Sequence, residues 1–252
     1  MKTQTVRSNK KVLTYDFAEP LGGAMAAKID INVGSGNLTI DSLTGDEQLL
    51  ASGTLEYLEK QGTPTRSLTT IGGQDILTLK ASGSGQPWFR LPWSACNGAT
   101  DWQIRLNPDV QSEVTVHSDG GNIRLDLNSL AVSRLSADTG GGNLDVILPD
   151  NTVDLNVIAK TGAGSVNVDI GRSTRGSSFV DASSGAGSVV VRVPEGLAAR
   201  IHATSGLGKV IMSPRFSMMD GSTYQSPDYE TVADKVEITI KSGAGDVSVD
   251  VR

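Results

Sequence analysis

The sequence predicts an all-β fold, a single-stranded β-helix (β-solenoid) whose coils contain about 22 residues. The prediction depends on a repeated Gly-x-Gly corner, a nearly constant spacing between corners, and apolar residues in fixed phase on both sides. The corner is clearest at Thr161-Gly162-Ala163-Gly164, where two alternating apolar segments meet. A period of this length is typical of solenoids, in which each repeat buries its apolar face against its neighbours.

The second glycine of each corner sets the phase of the repeat, and the central spacings are 21, 22, 23 and 21 residues. These corner glycines are Gly36, Gly121, Gly142, Gly164, Gly187, Gly208 and Gly245. The inward side changes across the bend, so we expect a positive φ there, which glycine adopts at little cost. Their predicted role is structural, because a phosphate-binding G-x-G-x-x-G loop needs a following helix and strands follow here.

Apolar residues occupy the positions five and seven before each corner glycine, and those two and four after it. The residues between them are mostly polar, which indicates one buried and one solvent-facing side. Short, turn-rich returns separate the units, so we expect each strand to stack in parallel on its counterpart one coil earlier. The alternative is an antiparallel sandwich with Gly-x-Gly hairpins, but a sandwich does not require a constant period.

The domain prediction is an N-terminal tail and first cap at residues 1–27, including a short strand at 12–17, followed by one β-solenoid domain at 28–252. Within that domain, residues 46–100 form irregular coils, with strands at 49–58 and 75–81 around a glycine-rich turn. Residues 213–234 form a loop excursion.

The last coil is predicted to end the rod at Arg252, where an uncovered coil would expose unpaired backbone groups. Residues of the loop excursion are expected to fold over this end. The candidates are Phe216, Met218, Met219, Tyr224 and Tyr229.

An aromatic segment at residues 86–102 contains all the tryptophans of the chain. Trp88, Phe89, Trp93 and Trp102 are candidate partner-binding residues, forming a platform for a glycan or a protein. The alternative is that the rings cover the flank of a thin solenoid.

Catalytic and metal-binding motifs are absent from the sequence. Cys96 has no nearby histidine, and His117 and His202 are expected to point outward on separate coils. A calcium-binding β-roll needs tandem nonapeptides, and residues 139–147 supply one fragment. We therefore predict no catalytic residues, no metal and no cofactor.

Carboxylates on an outer face are the remaining route to catalysis. Asp126 and Asp169 fall in one outward column two coils apart, about 10 Å by strand spacing, with Asp145 on the coil between. This separation is at the outer limit for an inverting glycosidase and too long for a retaining one. A polysaccharide-active enzyme is thus an alternative, and solvated aspartates are the ordinary expectation.

A net charge of −6 and a pI near 5.0 argue against a nucleic-acid partner, which requires clustered basic residues. No apolar run approaches the 18 residues of a membrane span, and no signal peptide follows the basic start. The sequence as given is therefore expected to be cytoplasmic. It does not identify the compartment of the protein beyond this expectation.

The chain resembles the toast-rack family, bacterial domains of unknown function related to candidate adhesins and cell-envelope-stress proteins. The residues carrying the resemblance are the early G-S-G-N-L-T-I, D-W-Q-I-R-L-N-P-D-V at 101–110, the T-G-A-G and S-G-A-G corners, and Y-Q-S-P-D-Y before the final repeat. The resemblance implies a right-handed β-helix, a non-catalytic role and association with the cell envelope.

The function expected from these observations is a non-catalytic binding or scaffold module of the bacterial envelope, adhesin-like or stress-related. Its partner would be a protein or an envelope glycan. Self-assembly by stacking of coil ends is an alternative structural role.

Overall fold

The computed structural model describes residues 4–7, 10–45, 48–82 and 100–252, excluding the side chains of residues 4–7 and 10. The described chain is all-β, with one 3₁₀ turn at Glu59–Gln61. The strands are β1 (Gln4–Arg7), β2 (Lys10–Pro20), β3 (Ala26–Ser42), β4 (Leu49–Leu58), β5 (Thr65–Ile71), β6 (Gln74–Lys80), β7 (Thr100–Leu106), β8 (Gln111–Gly120), β9 (Ile123–Asp126), β10 (Val132–Thr139), β11 (Leu144–Ile147), β12 (Thr152–Val153), β13 (Asn156–Ala163), β14 (Val166–Asp169), β15 (Thr174–Arg175), β16 (Ser177–Ala186), β17 (Val189–Val193), β18 (Ala198–Ser205), β19 (Val210–Met212), β20 (Ser217–Met218), β21 (Thr223–Gln225), β22 (Lys235–Ala244) and β23 (Val247–Val251).

Two faces of a solenoid-like fold meet at the glycine corners. The pre-corner sheet stacks β6, β3, β8, β10, β13, β16, β22 and β18 in parallel. The post-corner sheet stacks β7, β3, β9, β11, β14, β17, β23 and β19 in parallel. β3 belongs to both because it runs through its corner, so the repeated corners join parallel stacks and are not antiparallel hairpins.

The pairing register follows the glycine phase. Val116, Ala137, Ala159 and Ala182 pair in turn, at chain separations of 21, 22 and 23 residues. All four side chains are buried and belong to one continuous apolar core. The alternating pattern therefore places the same inward position of each repeat in one column.

The order of the last two repeats differs from the prediction that each strand stacks on the coil before it. β22 pairs with β16 on one side and with β18 on the other, and β23 lies likewise between β17 and β19. The final repeat is thus inserted into the stack and does not end it. Residues 213–234 make this possible, because they carry the chain past the outermost repeat and back to the gap.

The described residues near the N-terminus add antiparallel strands to the parallel stacks. β2 pairs with β4 and β4 with β7, while β5 and β6 form a hairpin through Gly72-Gly73, both with positive φ. The predicted tail and first cap at residues 1–27 contains two strands, because β1 pairs antiparallel with β2. The predicted strands at 49–58 and 75–81 are present as β4 and β6. β4 pairs antiparallel with β2 and β7, whereas β6 pairs antiparallel with β5 and parallel with β3.

The opposite end of the pre-corner sheet is covered by residues 213–234, the end cap. β21 pairs antiparallel with β18, and β20 with β21. Phe216 and Tyr229 are buried, and Tyr224 packs against the core, as expected of residues that cover an end. Met218 and Met219, by contrast, are about 60% exposed, at 61% and 62%, and do not take part in the covering.

The end cap is held by a polar cluster around Tyr229. The Arg200 guanidinium lies 4.3 Å from the ring centroid, and the Tyr229 hydroxyl donates a 2.8 Å hydrogen bond to Glu237. Burial, followed by the hydrogen bond and charge of Glu237, raises the pKa of Tyr229 to about 12. Since Arg200 lies on β18 and Glu237 on β22, this cluster ties the end cap to both of the last two repeats.

Candidate binding surfaces

The corner glycines form a close-packed ladder along the stack. A Cβ added to any of them would overlap a backbone carbonyl oxygen of the adjacent coil. Each glycine contacts the carbonyl of the residue before it in the following series: Thr100, Gly36, Gly121, Gly142, Gly164, Gly187, Gly245 and Gly208. Five of the seven have the expected positive φ, for example 137° at Gly164. Gly36 and Gly208 do not, and there the close approach alone requires glycine.

A hydroxyl side chain stands three residues before six of the seven corner glycines. Thr161 donates a 2.9 Å hydrogen bond to the carbonyl of Gly142, and Ser184 a 2.8 Å bond to that of Gly164. Ser118, Thr139, Ser205 and Ser242 make the equivalent bonds to corner carbonyls. Sequence reasoning missed these residues, although serine or threonine occupies this position in every copy except Val33.

Replacing Thr161 with valine is expected to lower the free energy of unfolding by about 1 kcal/mol, since the partly buried Gly142 carbonyl loses its side-chain donor. The shape is nearly unchanged, and Val33 shows that valine fits this position in another copy. Urea denaturation measures the effect. Thr69→Val, on an exposed face of β5, is the control and should change stability by less than about 0.5 kcal/mol. Equal effects of the two substitutions would contradict a role for the hydroxyl.

The three candidate carboxylates lie on the outer face of the post-corner sheet, and two of them are engaged by neighbouring side chains. Asp145 accepts a 2.6 Å hydrogen bond from Asn167, and Asp169 forms a 2.9 Å ion pair with Arg192. Ile147 pairs with both Asp126 and Asp169 and so stands between them. Asp145 and Asp169, but not Asp126, line a shallow groove of about 310 Å³ together with Asn167 and Arg192.

His117 lies on the outer face of the pre-corner sheet between two carboxylates. Its Nδ1 is 2.7 Å from Asp138 and its Nε2 is 3.3 Å from Asp119. Burial lowers the pKa of His117, but the hydrogen bonds and charges of Asp138 and Asp119 outweigh burial and raise it above 6.5. His202 lies at the far end of this sheet, on β18, and contacts Ser222. The structure therefore does not bring the two histidines together.

The interaction of His117 with its carboxylates predicts a pH-dependent stability. Its pKa is raised in the folded state, so the stabilisation is complete below the unfolded value of about 6.5 and is lost as the pH rises through the folded value. The advantage of the natural chain over His117→Asn is expected to fall across that window. Asparagine is the residue at the paired position, Asn32. Denaturation midpoints of both proteins across pH 5–9 measure this, and an unchanging difference would contradict the assignment.

Of the aromatic candidates, Trp102 is placed in the core. It is 1% exposed, and its indole N–H donates a 3.0 Å hydrogen bond to the Glu56 carbonyl. It pairs with Leu38 and fills that inward column, so its ring is not presented to a partner. The alternation of residues 101–106 carried this signal. Trp88, Phe89 and Trp93 lie outside the described residues, as does Cys96, and their partner-binding role stays a prediction.

Two further features bear on function. Within the part of the chain that is described, no three His, Cys, Asp or Glu side chains are arranged to hold a metal ion. The same residues contain no helix of sufficient length and hydrophobicity to cross a bilayer.

Two solved structures were compared with this fold. The crystal structure of a candidate cell adhesion protein from Clostridium sporogenes ATCC 15579 is similar at a TM-score of 0.67 and 22% identity, covering 97% of this chain and 100% of that one. A candidate adhesin from Bacteroides fragilis NCTC 9343 aligns at a TM-score of 0.38 and 14% identity, covering 97% and 100%. The first supports the fold; the second is too distant to support an argument.

Among curated proteins, no match was found. The sequence model of the N-terminal domain of toast_rack, DUF2154, matches residues 2–169, which is about two thirds of the chain. The stacked corners and this match agree with the resemblance seen in the sequence, and the chain belongs to the toast-rack family.

Proposed function

We propose that this protein is a non-catalytic binding or scaffold module of the bacterial cell envelope, adhesin-like in its use of an extended surface. The observation that carries the proposal is the in-register parallel stacking. It repeats outward side chains at about 4.8 Å intervals along two faces, so weak contacts to a partner can add. The family and the candidate adhesion protein of similar fold support this reading.

A non-catalytic role is supported by the state of the acidic side chains. Asp145 and Asp169 are engaged by Asn167 and Arg192, and Ile147 separates Asp126 from Asp169. A glycosidase needs one carboxylic acid held protonated and a second carboxylate placed to act with it. The described residues around Asp126, Asp145 and Asp169 offer no such arrangement, and aspartates are ordinary on a solvated sheet face.

Self-assembly through coil ends is less well supported. Antiparallel strands cover both ends of the pre-corner sheet, namely β5 at one end and β21 at the other. On the post-corner sheet the C-terminal edge is β19, three residues long. Natural proteins commonly protect sheet ends in this way, and protected ends disfavour growth by stacking.

We also propose that the paired segments are successive right-handed coils of a single-stranded β-helix, each of about 22 residues. Parallel pairing at chain separations of 21–23 residues supports this winding. On this reading residues 28–252 are one solenoid domain, and residues 1–27 close its first coil.

Binding of the fluorescently labelled chain to bacterial envelope preparations tests the proposed function. We expect saturable binding to sacculi or to membrane vesicles, none by the heat-denatured chain, and a concentration-independent monomer in light scattering. The proposal would be contradicted if the chain bound saturably to none of the envelope fractions. So would filaments in electron microscopy, or reducing sugar released from an envelope polysaccharide and abolished by Asp145→Asn.

A further inference from the structure

A groove opens on the return side of the solenoid, where one repeat is shorter than the next. Gly121 and Gly142 are 21 residues apart, whereas the following corner spacings are 22 and 23. The shorter repeat turns early, with a 2.9 Å hydrogen bond from Leu130 N to Leu127 O. The step leaves a groove of about 500 Å³ lined by Met25, by residues 108, 109 and 111, and by residues 128–133 and 150–153. We call it the step groove.

One wall of the step groove is the open edge of a two-stranded sheet. β12 pairs in parallel with β15, and the backbone N–H groups of Thr152 and Asp154 donate to Ser173 and Arg175 at 3.1 Å. Successive residues of a strand direct their backbone groups to opposite sides. The N–H and C=O of Val153 therefore point away from β15 and into the groove, and within the described residues no strand pairs with them.

A buried hydroxyl without a partner lies at the same place. Thr152 is only 6% exposed, and its Oγ1 has no hydrogen-bond partner among the described residues. A buried polar atom left unpaired costs about 1–3 kcal/mol, so β12 is held in place beside the groove at a local energetic cost. Asn151 and Asp154, on either side of β12, are the two non-glycine residues with positive φ in the described chain, at 59° and 50°. Such backbone outliers concentrate at ligand sites.

The rim of the step groove carries exposed apolar side chains and one carboxylate that forms no ion pair among the described residues. Met25 is 87% exposed and Val153 58% exposed, although both are apolar side chains that gain by being covered. The Asp109 carboxylate is exposed and makes no ion pair within the described part of the chain. Asp150 also lines the groove, but it forms an ion pair with Arg172 and accepts a hydrogen bond from the Arg172 backbone N–H. The rim thus offers apolar contact beside an unneutralised negative charge.

We propose that the step groove binds an extended peptide segment of a partner protein as a third strand on the edge of β12. The peptide backbone bonds the N–H and C=O of Val153. An apolar side chain of the peptide lies between Met25 and Val153, and a basic side chain lies at Asp109. The proposal rests on the proposed binding function and names the class of partner for one site.

Titration of the ¹⁵N-labelled full chain with the hexapeptide acetyl-Lys-Val-Lys-Val-Lys-Val-amide tests this site. Amide shifts are expected at Val153, at Thr152 and along residues 128–133. The same hexapeptide with its backbone nitrogens methylated keeps every side chain but loses strand pairing, and it should bind at least about 10-fold more weakly. Met25→Ser combined with Val153→Ser should weaken binding by a similar factor. The control is Ile71→Ser with Met218→Ser, which removes two exposed apolar side chains elsewhere and should leave the affinity unchanged.

Four results would overturn the proposal: no shifts with peptide up to about 5 mM, shifts confined to other edges, equal binding of the methylated peptide, or equal binding by the Met25/Val153 variant. Binding of chitohexaose in the groove, without binding of the peptide, would assign the site to a saccharide instead. Saturable binding of the Met25/Val153 variant to envelope preparations would preserve the general function while this site failed, so the two failures are distinguishable.

Discussion

Replacing Gly164 with alanine is expected to destabilise the chain by about 4 kcal/mol or more, among the largest effects of any single substitution. The added Cβ would overlap the backbone carbonyl of Gly142, which has no flexible side chain to move aside, and the φ of 137° disfavours any L-residue. Two neighbouring coils must separate to accept it, so both sheets lose register. Urea denaturation followed by circular dichroism measures the loss.

Two glycines elsewhere separate the causes of this effect. Gly196 has a φ of 90° but no atom within 4 Å of an added Cβ, so Gly196→Ala tests backbone strain alone and should cost about 1–2 kcal/mol. Gly221 has neither a positive φ nor a near neighbour, and Gly221→Ala should change stability by less than about 0.5 kcal/mol. An effect at Gly164 no larger than that at Gly196 would show that coil contact at the corner is not close.

Ending the chain after Asp234 is expected to disorder repeats that the truncated protein still contains. The deletion removes β22 and β23, which lie between β16 and β18 in one sheet and between β17 and β19 in the other. β18 and β19 then lose the only parallel partners that they have among the described strands, and the Glu237 side chain that binds Tyr229 in the end cap is also lost. Hydrogen exchange should show residues 198–212 unprotected in the truncated chain, with protection retained in β8–β14.

A different result is expected if the last repeat is not inserted between the two repeats before it. If β18 and β19 packed directly on β16 and β17, removing the last repeat would only expose an end, as expected for a solenoid built from nearest-neighbour contacts. Residues 198–212 would then keep their protection. A synthetic peptide of residues 235–252 serves as the control, because its addition should restore protection if the gap is real.

The sequence predicted the register of the stack more accurately than its order. Glycine phase was sufficient to place Ala159 beside Ala137 and Ala182. It could not decide whether Ile238 stacks on Val180, on Ile201 or between them, since all three residues are apolar and in the same phase. Pairing order within a uniform apolar column is weakly specified by pattern alone, and the path of residues 213–234 decides it.

The sequence predicted the direction of side chains correctly where apolar and polar residues alternate without interruption. The alternation of residues 101–106 identifies Trp102 as an inward residue, although its membership of an aromatic cluster suggested a surface role. The antiparallel strands β2, β4 and β5 could not be distinguished from irregular coils, because alternation is common to both kinds of pairing. The step groove depends on a one-residue difference in repeat length and on the open edge of β12, which only the folded chain reveals.

The insertion of the last repeat is tested most directly by disulfide trapping in a Cys96→Ser background. Ser183 pairs with Lys241, and Lys241 with Thr204, on the outer face of the pre-corner sheet. Cysteines at 183 and 241 are one strand spacing apart, about 4.8 Å, and should form a disulfide under mild oxidation. Cysteines at 183 and 204 are two spacings apart, about 10 Å, and should stay reduced. Rapid crosslinking of 183 with 204, and none of 183 with 241, would show that the repeats stack in chain order and would contradict this structure.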